Sequence, residues 1–163
     1  MRMQRTRKEA LKGGGVAGLV AGAVLAVVLA VLTALHRQDV WLAMKGAAAP
    51  FFRGRAMVPG FDAPVVLTGV VAHFVVSIIW GVLFAFVAFG FTRRSTVWLG
   101  LLWGIIVWIG MAYFVLPIVG LAEMARMTPI GQAIGLHLVF GLVVAVVFLP
   151  YQVPQVRELR PTA

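Results

Sequence analysis

The chain has 163 residues, of which 62% are hydrophobic, and its mean hydropathy is +1.02. Soluble domains are only about half apolar, so this composition excludes a soluble globular protein and predicts an all-α integral membrane protein. Cysteine is absent, which excludes disulfides, thiolate metal sites, iron–sulfur clusters and covalently attached c-type haem. The net charge of +9 comes without any nucleic-acid-binding pattern, and we expect anionic lipid headgroups to be its partner.

Four apolar runs are long enough to cross a hydrocarbon core about 30 Å thick, which takes roughly 20 helical residues. The predicted spans lie near 13–35, 65–91, 97–120 and 130–150, in a single membrane domain that comprises residues 1–163. The first run follows the basic segment MRMQRTRKEALK, so a signal peptide is the competing interpretation. We favour a retained span because the run is longer than the roughly 7–15 apolar residues of a signal peptide.

Basic residues between the apolar runs predict the orientation. Nine of them share the side of the N-terminus and five lie on the other side. The nine are Arg2, Arg5, Arg7, Lys8, Lys12, Arg93, Arg94, Arg157 and Arg160, and the five are Arg37, Lys45, Arg53, Arg55 and Arg126. The positive-inside rule therefore predicts that both termini lie in the cytoplasm.

The long outer connection, residues 36–64, mixes aromatic, basic and proline residues. Asp39 is suited to cap a short helix that turns Trp41 toward lipid and Lys45 toward the headgroups. Pro50 is expected to end that helix. The pattern predicts a short interfacial helix or a re-entrant segment, and a docking surface for a partner is the alternative. The expected interfacial anchors are Trp41, Trp98 and Tyr151.

Small residues recur at a spacing of four and divide the chain into two similar halves. The second run carries Gly69, His73, Ser77 and Gly81, and the fourth carries Ala133, His137, Gly141 and Ala145. Each half is predicted to be a hairpin, and both hairpins enter the membrane in the same direction, as parallel repeats. Small residues at this spacing let helix backbones approach closely, which predicts a compact four-helix bundle. The predicted packing residues are Gly14, Gly18, Gly22, Gly69, Ser77, Gly81, Gly100, Gly104 and Gly141.

Each half also contains one histidine in an apolar run, His73 and His137, at the same predicted depth in the outer leaflet. We favour a hydrogen bond to a neighbouring helix as their role. The alternatives are contact with a quinone headgroup, bis-histidine ligation of haem b, and a proton relay. No carboxylate lies in the middle of a predicted span, which argues against a proton-coupled transporter.

Four stretches carry a resemblance to a known family. They are GGGVAGLVAGAVLAVV, VVAHFVVSIIWGVLFA, LGLLWGIIVWIGMAYFVLP and GLHLVFGLVVAVV, one from each predicted span. The chain resembles a widespread bacterial family of four-helix inner-membrane proteins of the YagU-like kind, a domain of unknown function. The resemblance implies the four-helix architecture, the bacterial inner membrane, and histidines at the family's matching positions, His73 and His137. It implies no activity, substrate or cofactor.

The absence of catalytic patterns predicts a non-enzymatic protein with no metal site. We expect an accessory or structural subunit of a larger inner-membrane complex, such as a respiratory or photosynthetic one, with other membrane-protein subunits as partners. The alternative is a haem b or quinone-binding membrane protein that uses His73 and His137. A third reading is a small-solute channel or transporter.

Overall fold

The computed structural model describes residues 2–152, and within that range the chain forms helices and no strand. The α-helices are α1 (Arg2–Leu35), α2 (Val40–Ala47), α3 (Ala49–Phe52), α4 (Ala63–Ala88), α5 (Arg93–Gly110), α6 (Leu116–Ile118), α7 (Ala122–Met127) and α8 (Ile130–Phe148). A π-helical turn, Met111–Val115, joins α5 to α6, and 3₁₀ turns cover Arg53–Met57 and Leu149–Tyr151. The basic residues predicted at 157 and 160 lie outside the described range.

Within the described residues, four helical segments are long and apolar enough to cross a membrane. They are Arg7–Leu35, Ala63–Ala88, Arg93–Ile118 and Ile130–Tyr151. The predicted all-α architecture with four candidate membrane helices is confirmed.

Local signals explain where the second and third of these helices end and begin. Gly90 adopts a positive φ of 87°, which only glycine accepts readily, and α4 ends two residues before it, at Ala88. The Thr92 hydroxyl accepts a hydrogen bond from the Ser95 N–H and caps α5. The helix therefore begins at Arg93, four residues earlier than the predicted boundary near 97.

The long helices pack as two antiparallel pairs. Helix α1 packs along α4, α5 packs along α8, and the pairs join where α1 lies along α8. Helices α4 and α5 lie on the two flanks and have few contacts with each other. Each pair is therefore a hairpin of two successive long helices. Contact between one helix of each pair, α1 and α8, joins the two hairpins into a bundle.

Glycines bring the backbones of each pair into direct contact. A side-chain carbon at Gly14 would lie 2.7 Å from the Gly81 carbonyl oxygen, and one at Gly100 would lie 2.7 Å from the Gly141 carbonyl oxygen. Neither position has room for a methyl group, since van der Waals contact needs at least about 3.5 Å. We call these two contact lines the glycine seams: α1 with α4, and α5 with α8.

The seams show how the two hairpins correspond. Gly18 faces the carbonyl of Ser77 in the first pair, and Gly104 faces the carbonyl of His137 in the second. Ser77, and not His73, therefore matches His137. The predicted match of the two histidines is wrong by one helical turn, because the seam residues determine how the helices pair.

Two glycines of α8 allow a matched test of the second seam. A methyl group at Gly141 would lie 2.6 Å from the Gly104 nitrogen, whereas Gly135 has open space around it. We expect Gly141→Ala to lower the free energy of unfolding by about 1–3 kcal/mol. Gly135→Ala should be neutral or raise it by up to about 1 kcal/mol, since alanine favours a helix.

The measurement is reversible unfolding of each variant in mixed micelles as the fraction of denaturing detergent increases. Equal effects of the two alanines would contradict the seam.

Candidate ligand-binding groove

A groove of about 490 Å³ lies where the flanking helices α4 and α5 separate. Helix α4 contributes Thr68, Val71, Ala72, His73, Val75, Val76, Ser77 and Trp80, and α8 contributes His137 and Phe140. Val107 of α5 and Met111 and Val115 of the π-helical turn form the opposite wall. The lining is apolar except for a few side chains, which is the usual character of a small-molecule site.

An aromatic cluster closes the groove on one side. The Trp80 ring lies edge to face with Trp103 at 5.9 Å, and Phe84 lies 5.8 Å from both Trp103 and Phe148. The Trp80 Nε1–H donates to the Met111 sulfur at 3.4 Å. These contacts bridge α4, α5 and α8, so the bundle is closed beyond the groove and open at the groove itself.

The connection between α1 and α4 covers the other side. Gly69 of α4 has no side chain, so the Met44 carbonyl of α2 lies directly against it. This contact places Gly46 and Ala47 at the groove, followed by Pro50 and Phe51. Gly69 was predicted to pack two membrane helices together, but it packs α4 against α2.

The predicted capping by Asp39 is present in the structure. Asp39 Oδ1 accepts a hydrogen bond from the Trp41 N–H at 3.0 Å, and α2 starts at Val40. Pro50, which was expected to end this helix, lies instead in the first turn of α3. Proline is tolerated there because a first-turn N–H has no partner within the helix.

Lys45 does not extend toward the headgroups as predicted. It is 1% exposed, and its Nζ donates to the carbonyl oxygens of Val58 and, at 2.9 Å, Gly60. Gly60 has a φ of +95°, and its N–H donates to Asp39 Oδ2 at 2.6 Å. The glycine turn therefore brings two carbonyls and a carboxylate near the ammonium, and the connection folds around a buried cation.

Two carboxylates stabilise the same connection. The N–H groups of Gly60 and Trp41 hold the pKa of Asp39 below its usual value. The Arg55 guanidinium, which donates to Asp62 from Nε at 2.8 Å and Nη2 at 3.1 Å, lowers the pKa of Asp62. Both groups are ionised at neutral pH, so both contacts are present there.

His73 links two helices beside the groove. Its Nε2 lies 2.9 Å from the carbonyl oxygen of Gly22 in α1. A carbonyl only accepts, so Nε2 carries the proton. This is the hydrogen bond to a neighbouring helix that we expect of a membrane histidine.

His137 makes a different bond. Its Nδ1 lies 2.7 Å from the Ala133 carbonyl oxygen, one turn earlier in its own helix. By the same reasoning Nδ1 carries the proton, which leaves Nε2 of this groove-lining ring as an acceptor. The two histidines contribute to one groove, but only His137 has its Nε2 free.

Bis-histidine ligation of a haem through both Nε2 atoms does not fit this arrangement. Each Nε2 would have to present a lone pair to the iron, and Nε2 of His73 is protonated and bonded to the Gly22 carbonyl. Within residues 2–152 no cluster of three or more histidine and carboxylate side chains could hold a metal ion.

The other predicted residues lie around the bundle. The Ser77 hydroxyl donates to the His73 carbonyl at 2.8 Å, and Gly22 faces the Ser77 side chain. The Trp98 side chain is exposed and Trp41 packs edge to face on Phe61 at 4.8 Å. Tyr151 lies against Gly13 of α1.

The π-helical turn that forms part of the groove wall was not predicted from the sequence. Pro117, two residues after the turn, has no N–H to donate and predicts a kink or a helix end near Val115–Leu116, but not the type of turn that precedes it. A π-helical turn widens the helix locally and is frequent at functional sites. Here it carries Met111 and Val115, both of which line the groove.

Residues 9–157 match a family described as a family of unknown function, DUF6789. The chain belongs to the DUF6789 family. This confirms the predicted membership of an uncharacterised family. Neither the curated proteins nor the solved structures give a match. The DUF6789 region covers the first candidate membrane helix from residue 9 onward, the other three completely, and the connection 36–62, so the whole groove lies within it.

Lys45→Met tests the buried cation. The change keeps the length of the side chain but leaves the carbonyls of Val58 and Gly60 without a donor, which we expect to cost about 1–3 kcal/mol of local stability. Tryptic cleavage after Arg53 and Arg55 should therefore become faster. Lys12→Met removes an exposed cation and a tryptic site elsewhere and should leave that rate unchanged. Equal rates in both variants would contradict the structural role of Lys45.

Acid should loosen the same connection. A carboxylate whose pKa is lowered on folding stabilises the fold above its unfolded pKa and loses this effect as the pH falls through the folded pKa. Asp39 and Asp62 both have lowered pKa values, so we expect hydrogen exchange in 40–60 to accelerate, after correction for the intrinsic rate, below about pH 4. Asp39→Asn should exchange faster already at neutral pH and respond less to acid. A wild-type connection indifferent to pH between about 5 and 2 would contradict this account.

Proposed function

We propose that this protein binds a lipid-like molecule, consisting of an apolar body and a small polar head, in the groove between α4 and α5. The observation that carries the proposal is a mainly apolar groove lined by His137, whose Nε2 has no hydrogen-bond partner among residues 2–152. Its volume of about 490 Å³ falls within the range of roughly 300–1,000 Å³ typical of small-molecule sites. The apolar lining suits the body of the ligand and His137 suits its head.

The chemistry of the groove favours binding over catalysis. Ser77 and His73 are one turn apart, but the Ser77 hydroxyl donates to the His73 backbone carbonyl and not to its ring. Nucleophilic catalysis needs a base that takes the proton from the nucleophile, and this arrangement does not supply one. We therefore propose a binding protein that is not an enzyme.

We further propose that the protein lies in the bacterial inner membrane with both termini in the cytoplasm. The unequal distribution of basic residues supports this orientation. The groove then opens in the outer leaflet, beside the connection 36–62. Anionic headgroups are the proposed partners of the exposed basic residues.

The role of accessory subunit in a respiratory or photosynthetic complex stays a prediction. The apolar side chains exposed on the long helices are those that a membrane protein turns toward lipid, and they do not favour a protein partner over lipid.

Filling the groove tests the proposal. Ala72 lines it, and Ala72→Trp introduces a bulky side chain, whereas Leu83→Trp changes a lipid-exposed position of the same helix outside the groove. The measurement is mass spectrometry of the apolar molecules that co-purify with each variant in mild detergent.

We expect a stoichiometric species in the wild type and in Leu83→Trp that falls by about tenfold or more in Ala72→Trp, a loss of at least about 1.4 kcal/mol of binding. The same profile in all three proteins would contradict a ligand in the groove.

A further inference from the structure

We infer that the groove selects a ligand whose head donates a hydrogen bond: a hydroxyl-headed apolar molecule, such as a quinol, over the corresponding quinone. This inference rests on the proposed function and adds the chemistry of the head. It follows from which hydrogen-bonding groups around the groove are already used.

The side chains that could donate into the groove donate to the protein instead. Thr68 donates to the Pro64 carbonyl at 2.8 Å, Ser77 to the His73 carbonyl at 2.8 Å, and Trp80 to the Met111 sulfur at 3.4 Å. Each hydroxyl has one proton and the indole has one, so these three groups have no further donor to offer.

Backbone donors at the groove are used as well. The Phe51 N–H donates to Ala48, the Val119 N–H to Val115, and the Leu121 N–H to Leu116. The groove is thus short of donors on both its helical walls and its covering segment.

Each of the two imidazole rings retains one nitrogen that can accept a hydrogen bond. The protons of His73 and His137 are given to the Gly22 and Ala133 carbonyls, so the second nitrogen of each neutral ring has a lone pair. Nε2 of His137, on the ring edge away from its own helix carbonyl, is the acceptor best placed for a ligand.

These acceptors discriminate between ligand heads. A quinone carbonyl can only accept, so in this groove it would lose its hydrogen bonds to water and gain none. A hydroquinone hydroxyl donates to the imidazole nitrogen, and a lipid alcohol offers the same hydroxyl chemistry. A buried polar group without a partner is disfavoured more than a paired one is favoured, so the difference should be easy to measure.

Four probes test this with the full chain in detergent micelles. They are decyl-benzohydroquinone under anaerobic reducing conditions, its oxidised decyl-benzoquinone, its dimethyl ether, and farnesol. The ether keeps the shape of the hydroquinone without its donors. Affinities come from the dependence of thermal unfolding on probe concentration, which requires no optical signal from the probe.

We expect the hydroquinone to bind about five- to tenfold more tightly than the quinone and the ether, the effect of one net hydrogen bond. His137→Leu should abolish this preference. Its control is His36→Leu, because His36 Nδ1 makes the same bond to its own helix, to Leu32 at 2.7 Å, but lies outside the groove. Tighter binding of farnesol than of the hydroquinone would identify a lipid alcohol as the source of the hydroxyl.

The experiment distinguishes failure of this inference from failure of the proposed function. If the quinone binds as tightly as the hydroquinone and Ala72→Trp abolishes the binding of both, the inference is overturned and the proposed function stays in place. Probes that bind equally well to the wild type and to Ala72→Trp, or do not bind at all, would overturn the proposed function itself.

Discussion

Direct contact between helix backbones at the glycine seams is the constraint on which the rest of this structure depends. Lipid removes the hydrophobic drive between apolar helices, so close packing must hold them together, and only small residues allow it. Gly14 and Gly81 bring α1 and α4 into direct backbone contact, and Gly100 and Gly141 do the same for α5 and α8. The pairs then join through α1 and α8, which leaves α4 and α5 on the flanks and produces the groove between them.

Inside this bundle, hydrogen bonding decides what the groove can recognise. Water is absent from the bilayer core, so the groove-lining donors Thr68, Ser77 and Trp80 use carbonyls and a thioether of the protein itself. The two imidazoles do the same with their protons and keep their lone pairs. In the bilayer core, polar groups must find hydrogen-bond partners within the protein. The same requirement that stabilises the helices therefore uses the donors at the groove and leaves the imidazole acceptors. The connection 36–62 follows this rule outside the core, where Lys45 uses the carbonyls of Val58 and Gly60.

The sequence predicted the helices and the small-residue faces because hydropathy and spacing are local properties. It could not predict the register, since a small residue at every fourth position looks the same after a slip of one turn. For this reason His73 was matched with His137, although Ser77 occupies that position in the seam. The burial of Lys45 depends on the turn at Gly60, fifteen residues away in the chain. The groove depends on which helices are neighbours, and no local pattern contains that information.

We propose that the groove offers hydrogen-bond acceptors on its imidazole rings. Nitrogen-15 NMR of the histidine rings, in labelled protein reconstituted in lipid bilayers, tests this directly. Chemical shifts of the ring nitrogens distinguish the two neutral tautomers and the charged form. We expect His73 to carry its proton on Nε2 and His137 to carry its proton on Nδ1, with a bare Nε2. A proton on Nε2 of His137, in either the other tautomer or the charged ring, would place a donor in the groove and contradict the account.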